Sequence, residues 1–403
     1  MRPALLTIGA GLALCLGAAQ GKLEEEPLAP LSQANPAAPR FHEVKASDSG
    51  LEMRNDYGDP LMWGRLFREF TLGAVGSGIA TGDVDGDGLI DVFAVGKSDP
   101  NRLWRQARPF VFEDVTEAAG VGGSEAWNTG CTFVDIDNDG DLDLFVTCFN
   151  APNQLYINDG DGRFEERAAD FGLDTVDASV HGSFADYDRD GDLDLYLQTN
   201  ILRFGQLHRG EADRLMRNDG DRFTEVTREA GIWGNFQVHV AVWWDFNHDL
   251  WPDLYVANDF KDPDQLYLNN GDGTFTEVAN QRLPYTSFSS MGADFGDLNN
   301  DGRVDFMGTD MAASTHQKRL YGVAEFGRGI WDRERQTLMQ HQFMRNAVFI
   351  NTGTERFLEV AQMAGLDATD WTWSVRIADL DNDGWNDVFA TNGMLRHFMH
   401  ADL

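Results

Sequence analysis

The sequence predicts an all-β fold: a β-propeller of six four-stranded antiparallel blades, or seven if residues 42–75 or a lost C-terminal stretch supply another. Three observations predict it. A nine-residue acidic segment recurs six times, strand-like apolar runs flank it, and a second hairpin with a Gly-containing turn follows. A single sheet of this kind cannot bury both of its faces, so the units must stand radially, each covering the next.

The acidic segments are DVDGDGLID from Asp83, DIDNDGDLD from Asp135, DYDRDGDLD from Asp186, DFNHDLWPD from Asp245, DLNNDGRVD from Asp297 and DLDNDGWND from Asp379. Their intervals are 52, 51, 59, 52 and 82 residues, a period of propeller blades rather than helical solenoids. Small apolar runs precede them, as at 76–82 and 182–185, and strands rich in β-branched and aromatic residues follow, as at 144–147, 195–198, 254–257 and 388–391. Next come hairpins at 153–168, 213–227, 264–279 and 346–361, whose Asn-Asp-Gly and Asn-Asn-Gly turns supply residues that tolerate positive φ. Each unit thus has strands A to D, with the acidic segment joining A to B and the Asn-Gly turn joining C to D.

The last unit stops after its B strand. Phe41-His42-Glu43-Val44 matches the D-strand pattern of Phe223-Thr224-Glu225-Val226, so the N-terminal segment is expected to return and close the ring, covering an open edge. Residues 1–21 read as a secretory signal: Arg2, an apolar stretch from Leu5 to Leu16, then Gly17, Ala18 and Ala19 near a cleavage point. That stretch is too short to span a bilayer. Cys15 would suit a lipid anchor, but Leu14 stands where a small residue is expected. Residues 22–40 read as a flexible linker and 41–403 as the propeller, with an insertion at about 311–344. The protein is therefore expected in a secreted, periplasmic or cell-surface location. Of its cysteines, Cys131 and Cys148 fall on neighbouring strands, as buried thiols or a cross-strand disulfide.

The formal net charge of −34 excludes nucleic acid and anionic membrane surfaces as natural partners. Aromatic residues at 11% argue against a disordered acidic chain, which leaves cation coordination as the use for the carboxylates. Calcium takes six to eight oxygens, and a D-x-D-x-D-G-x-x-D loop offers carboxylates at positions 1, 3, 5 and 9 with a carbonyl from position 7. The expected ligands are Asp83, Asp85, Asp87 and Asp91; Asp135, Asp137, Asp139 and Asp143; Asp186, Asp188, Asp190 and Asp194; Asp245, Asn247, Asp249 and Asp253; Asp297, Asn299, Asp301 and Asp305; Asp379, Asp381, Asp383 and Asp387. Five to six Ca2+ ions are expected. The loop at 245–253 carries Leu250 in place of the position-6 Gly, which a positive φ would strain, so it is expected to bind weakest.

These loops resemble those of the FG-GAP/VCBS repeat proteins, whose propellers include the integrin α-subunit head. The segments at 223–232, 294–305 and 369–393 are most similar to bacterial relatives of cartilage acidic protein, of the ASPIC/UnbV type, without that C-terminal domain. The resemblance implies an exported calcium-binding propeller that binds protein or glycan, or serves as a scaffold in adhesion, without catalysis. Similar calcium-loop propellers include polysaccharide lyases, which keeps a calcium-dependent lyase as the alternative. A scaffold whose activity lay in a missing domain is a third reading.

D–A and B–C connections share the face opposite the acidic loops and vary in length, which makes that face the expected binding surface. It holds the basic insertion with Lys318, Arg319, Arg328, Arg333 and Arg335, as well as Trp127, Trp371 and Trp233. The tryptophans are read as blade packing or as sugar platforms, and His181 and His239 as interior histidines or a metal pair. No Ser–His–Asp spacing, G-x-S-x-G or phosphate-cradling loop is present.

Overall fold

The computed structural model describes residues 41–54, 77–97, 99–123, 126–200, 211–232, 237–259, 262–316, 318 and 341–393. The expected signal peptide and linker, Trp233, and the insertion's arginines lie outside them.

The repeat folds as the periodicity predicts. The first unit is β1 (Ile79–Gly82), β2 (Asp91–Ala94), β3 (Arg102–Arg108) and β4 (Val111–Asp114). The second is β5 (Trp127–Val134), β6 (Asp143–Pro152), β7 (Gln154–Asn158) and β8 (Phe164–Glu166). The third is β9 (Val176–Ala185), β10 (Asp194–Thr199), β11 (Arg214–Asn218) and β12 (Phe223–Glu225). The fourth is β13 (Val238–Trp244), β14 (Asp253–Asn258), β15 (Gln265–Asn269) and β16 (Phe275–Glu277). A short strand, β17 (Thr286–Ser287), leads into the fifth, which is β18 (Gly292–Gly296), β19 (Asp305–Thr309), β21 (Ala347–Asn351) and β22 (Phe357–Glu359). Between its B and C strands, β20 (Gln342–Phe343) pairs parallel with β17. Among the described residues the sixth unit holds β23 (Thr372–Ala378) and β24 (Asp387–Asn392).

Each of the first five units is an antiparallel meander in the order A-B-C-D, the described strands of the sixth pair A with B, and β6 extends far enough to pair with β9, joining the second and third units into one sheet. Alternation along the B strands explains why they read as apolar throughout. Leu144 packs into the core shared with the first unit, and its neighbour Phe145 into the core shared with the third. Leu254 and Tyr255 likewise face the third and fifth units, and Phe306 and Met307 the fourth and sixth. Successive side chains point to opposite faces of a strand, so each blade contributes to two cores. The A strands run side by side closely enough that a Cβ on Gly130 would lie 2.5 Å from the Val180 carbonyl oxygen.

One-turn helices follow several D strands: α2 (Thr116–Ala119), α3 (Ala168–Phe171), α4 (Ala279–Arg282) and α5 (Ala361–Ala364), after α1 (Ala46–Ser49) near the start. Gly120 ends α2 with a left-handed φ of 79°, and its Cβ position lies 3.3 Å from the Phe164 carbonyl of the next unit. The N-terminal segment copies this contact. Gly50, at φ 82°, ends α1 and packs against the Phe112 carbonyl of the first unit. Phe41–Val44, however, form no strand, against expectation, and Phe41 is exposed. A D strand needs a C strand beside it, and the described part of the sixth unit has none.

Cys131 and Cys148 are free and buried. The register places Cys131 opposite Val146 and Cys148 opposite Asn128, and the Cys148 thiol donates to Asn128 Oδ1 at 3.2 Å.

Candidate metal centres

Each acidic loop is held by the same backbone bonds. The position-1 carboxylate accepts the position-6 N–H, as in Gly88 to Asp83 (2.8 Å), Gly191 to Asp186 (3.2 Å) and Gly302 to Asp297 (2.7 Å). The position-5 carboxylate accepts the position-7 N–H, as in Leu89 to Asp87 and Asp192 to Asp190. At position 9 both oxygens are used. In Asp143 one accepts Ile136 N–H (3.0 Å) and the other Asn158 N–H (2.8 Å), and Asp194, Asp253 and Asp305 repeat the pair. This satisfies the loop's amides and turns carboxylate oxygens inward.

The result is convergence. Ligand atoms of Asp83, Asp85 and Asp91 lie within 4.8 Å of one another, and so do those of Asp135, Asp137 and Asp143, of Asp186, Asp188 and Asp194, and of Asp379, Asp381 and Asp387. Positions 1, 3 and 9 therefore meet, while Asp87, Asp139, Asp190 and Asp383 stand outside these triads. In the loops from Asp245 and Asp297, Asn247 and Asn299 replace the position-3 carboxylate, so Asp245 with Asp253, and Asp297 with Asp305, have an amide for a third member.

The electrostatics fit a cation. Oδ1 of Asp135 and of Asp186 is buried without a hydrogen-bond partner. Burial, with neighbouring carboxylates adding repulsion, pushes Asp143 up to about 7, Asp194 to about 8 and Asp253 to about 7. Several Asp-rich groups could thus hold a metal ion, and their donors are all oxygen.

Two features of these loops were not read from sequence. Position 4 is left-handed throughout: Gly86, Asn138, Arg189, His248, Asn300 and Asn382 all have positive φ. The signal was present, since four of the six are Gly or Asn. Leu250 does take the expected positive φ, at 73°. The second feature is the Asn ending the C strand in the second to fifth units, expected to serve the turn through positive φ. The glycines take that role, at Gly160, Gly220, Gly271 and Gly353. The Asn instead ties units together. Asn158 Nδ2 donates to the Val84 carbonyl (2.9 Å), Asn218 to Ile136 (3.2 Å), Asn269 to Tyr187 (2.8 Å) and Asn351 to Phe246 (3.2 Å). Each acceptor is position 2 of the preceding unit's acidic loop.

On the opposite face, Trp127 is buried beside Lys97, whose Nζ lies 5.5 Å from its ring centre, so this tryptophan is packing. Burial holds the Lys97 amine down to about 7. Trp371 and Trp373 stack partly exposed, at 6.1 Å and 19°. Lys318 pairs with Asp370. His181 is desolvated, which holds its imidazole down to about 4, whereas His239 pairs with Asp259 at 3.3 Å. Among the described residues neither histidine joins a metal-competent group.

A buried residue before each C strand caps the B strand. Asn101, Asn153 and Asn346 accept the N–H of Gly96, Cys148 and Asp310. Asp213 and Asp264 do the same for Thr199 and Asn258. Burial raises both carboxyls to about 7. Unfolded, an aspartate titrates near ~4. The folded chain therefore keeps protons that the unfolded chain releases. This stability is complete below about pH 4 and is lost as pH rises through about 7, at about 1.4 kcal/mol per pH unit for each group. In excess calcium, the melting temperature is expected to fall as pH rises from about 4 to about 7 and to level off above that. Asp213→Asn with Asp264→Asn, the residue that the other units carry there, should flatten the fall. An unchanged pH profile in the double variant would contradict the assignment.

Fold and loops together define a repeat-built β-propeller with cation-competent A–B loops. The chain belongs to the FG-GAP-like repeat family, whose model matches residues 83–146, 135–197, 245–307 and 338–390, more than half of its length. It is similar to human cartilage acidic protein 1, 24% identical over 228 residues that make up 53% of this chain and 33% of that protein. The Xenopus tropicalis protein of the same name is 26% identical over 132 residues, 32% of this chain and 20% of its own. The chain thus spans about a third or less of the curated relatives it matches. Among solved structures, it overlaps an Agrocybe aegerita lectin specific for non-reducing terminal N-acetylglucosamine, at 17% identity, 69% and 63% coverage and a TM-score of 0.39. The V. cholerae biofilm matrix protein Bap1 overlaps at 14% identity, 60% and 36% coverage and a TM-score of 0.31. Overlaps this loose say nothing of what the chain binds.

Proposed function

We propose that the protein is an exported, calcium-loaded propeller that acts as a non-enzymatic binding or adhesion module for protein or glycan. The observation that carries this reading is the repeated triad of positions 1, 3 and 9, with buried, partnerless oxygens at Asp135 and Asp186. Calcium suits an all-oxygen donor set, and millimolar extracellular calcium would fill such loops. Five to six ions are proposed, the 245–253 loop binding weakest because Leu250 strains it and Asn247 removes a charge. The ions would fasten the loops, and the rigid scaffold would present the longer B–C and D–A connections to a partner. Residues 1–21 would be removed on export, placing the chain in a calcium-rich compartment.

A lyase needs a basic side chain poised beside an open ion. Arg105 comes within 3.8 Å of Asp85 but also pairs with Glu113 at 3.3 Å, an ion-pair arrangement rather than an isolated base.

Calorimetric titration of the chelated protein with calcium chloride tests the proposal. Five to six sites are expected, and Asp186→Ala with Asp188→Ala should remove one of them. A protein that takes up no calcium would overturn it.

A further inference from the structure

The A strands carry a shared irregularity. In the second, third, fourth and sixth units one residue is looped out of the A–B ladder at the same register: Thr129, Val180, His239 and Trp373. Such a bulge re-aims the extra side chain and recurs near binding sites. In two units it brings rings together from across the assembly. His239 of the fourth unit and Trp373 of the sixth meet edge to face, with centroids 6.0 Å apart at 87°. Their strands are two units apart, so both side chains point toward the common axis, at the end opposite the acidic loops.

A platform surrounds this contact. Trp371 lies nearly parallel to Trp373. The indole N–H of Trp371 donates to the Met291 sulfur at 3.0 Å, and that of Trp373 to the Gly393 carbonyl at 2.8 Å. These bonds fix the orientation of both rings and leave their faces, not their N–H groups, as what they offer. Beside them the His239–Asp259 pair supplies a hydrogen-bonding edge, mostly buried and hence positioned. The surrounding charge selects the ligand: with a net charge of −34, an anionic partner is disfavoured.

We propose that Trp371, Trp373 and the His239–Asp259 pair form a site for a neutral saccharide at the axial mouth. The C–H face of a pyranose would lie on the indole, and its hydroxyls would bond to imidazole and carboxylate, the pairing of an apolar surface with a few placed polar groups that small-ligand sites use. This deepens the binding-module reading and rests on it.

The test titrates the calcium-saturated full chain with methyl glycosides of glucose, galactose, mannose and N-acetylglucosamine, and with a neutral-glycan array. Tryptophan fluorescence reports binding. At least one probe should bind, and Trp373→Ala and Trp371→Ala should each weaken it about tenfold. Asp259→Asn should weaken it with both rings in place, which guards against a tryptophan variant that fails to fold. Unchanged affinity in folded variants would place the sugar elsewhere. No neutral saccharide bound by the wild type would overturn this site, while the calcium titration reads the wider proposal separately.

Discussion

Stripping divalent cations with EDTA is expected to lower the melting temperature by on the order of 10 °C. Added calcium should restore it and magnesium should not, since magnesium demands a tighter octahedral shell and gives up its water reluctantly. The size follows from mass action. A site held at about 100 times its Kd contributes about 2.7 kcal/mol, and several loops act together. The sign follows from the loops themselves: without an ion, Asp83, Asp85 and Asp91 crowd one another, and Asp135 and Asp186 each bury an unanswered oxygen. Differential scanning fluorimetry with and without chelator reads the shift. An identical melt in both would mean that the carboxylates are stable without metal.

Asn269→Ala should cost about 3 kcal/mol or more, far above a surface turn substitution. Its side chain donates to the Tyr187 carbonyl (2.8 Å) and the Pro252 carbonyl (3.1 Å) and accepts Gly271 N–H (2.9 Å). Alanine leaves buried polar groups unanswered at once, each worth about 1–3 kcal/mol. The loss also reaches the acidic loops. Tyr187 is position 2 of the third loop, whose N–H is held by Asp194. Calcium affinity of the third loop should therefore weaken although the substitution lies in the fourth unit. Urea unfolding gives the first number and calorimetry the second. A variant as stable as the parent would show that the Asn serves only its own turn.

The propeller was legible because its repeat is written in residues with narrow physical uses. Asp at alternate positions before a Gly has few roles besides gripping a cation, and apolar runs of strand length with no polar face imply cover on both sides. Leu250 was legible for the same reason, since a β-carbon in a Gly position marks strain. What escaped was whatever depends on a neighbouring unit. Asn158 and its equivalents look like turn residues until the preceding loop stands beside them. Phe41–Val44 carry a strand's pattern, yet a strand exists only if another pairs with it. Trp127 and Trp371 sit at the same offset from their loops, but one is enclosed beside Lys97 and the other lies open beside Trp373; a single sequence does not separate them.

Along the B strands, neighbouring residues serve different interfaces, as Leu144 and Phe145 do. Inserting one amino acid within the paired stretch of a B strand would exchange the two cores simultaneously, so an added residue there costs far more than one in a loop. The acidic loops are equally fixed, being nine residues in every copy. Growth is left to the stretches between B and C, and it is there, after Thr199 and after Thr309, that the longest separations between strands fall. Such a scaffold can diversify at one end while the other stays metrically constant, an evolutionary polarity set by nothing more than the two-residue period of an extended chain.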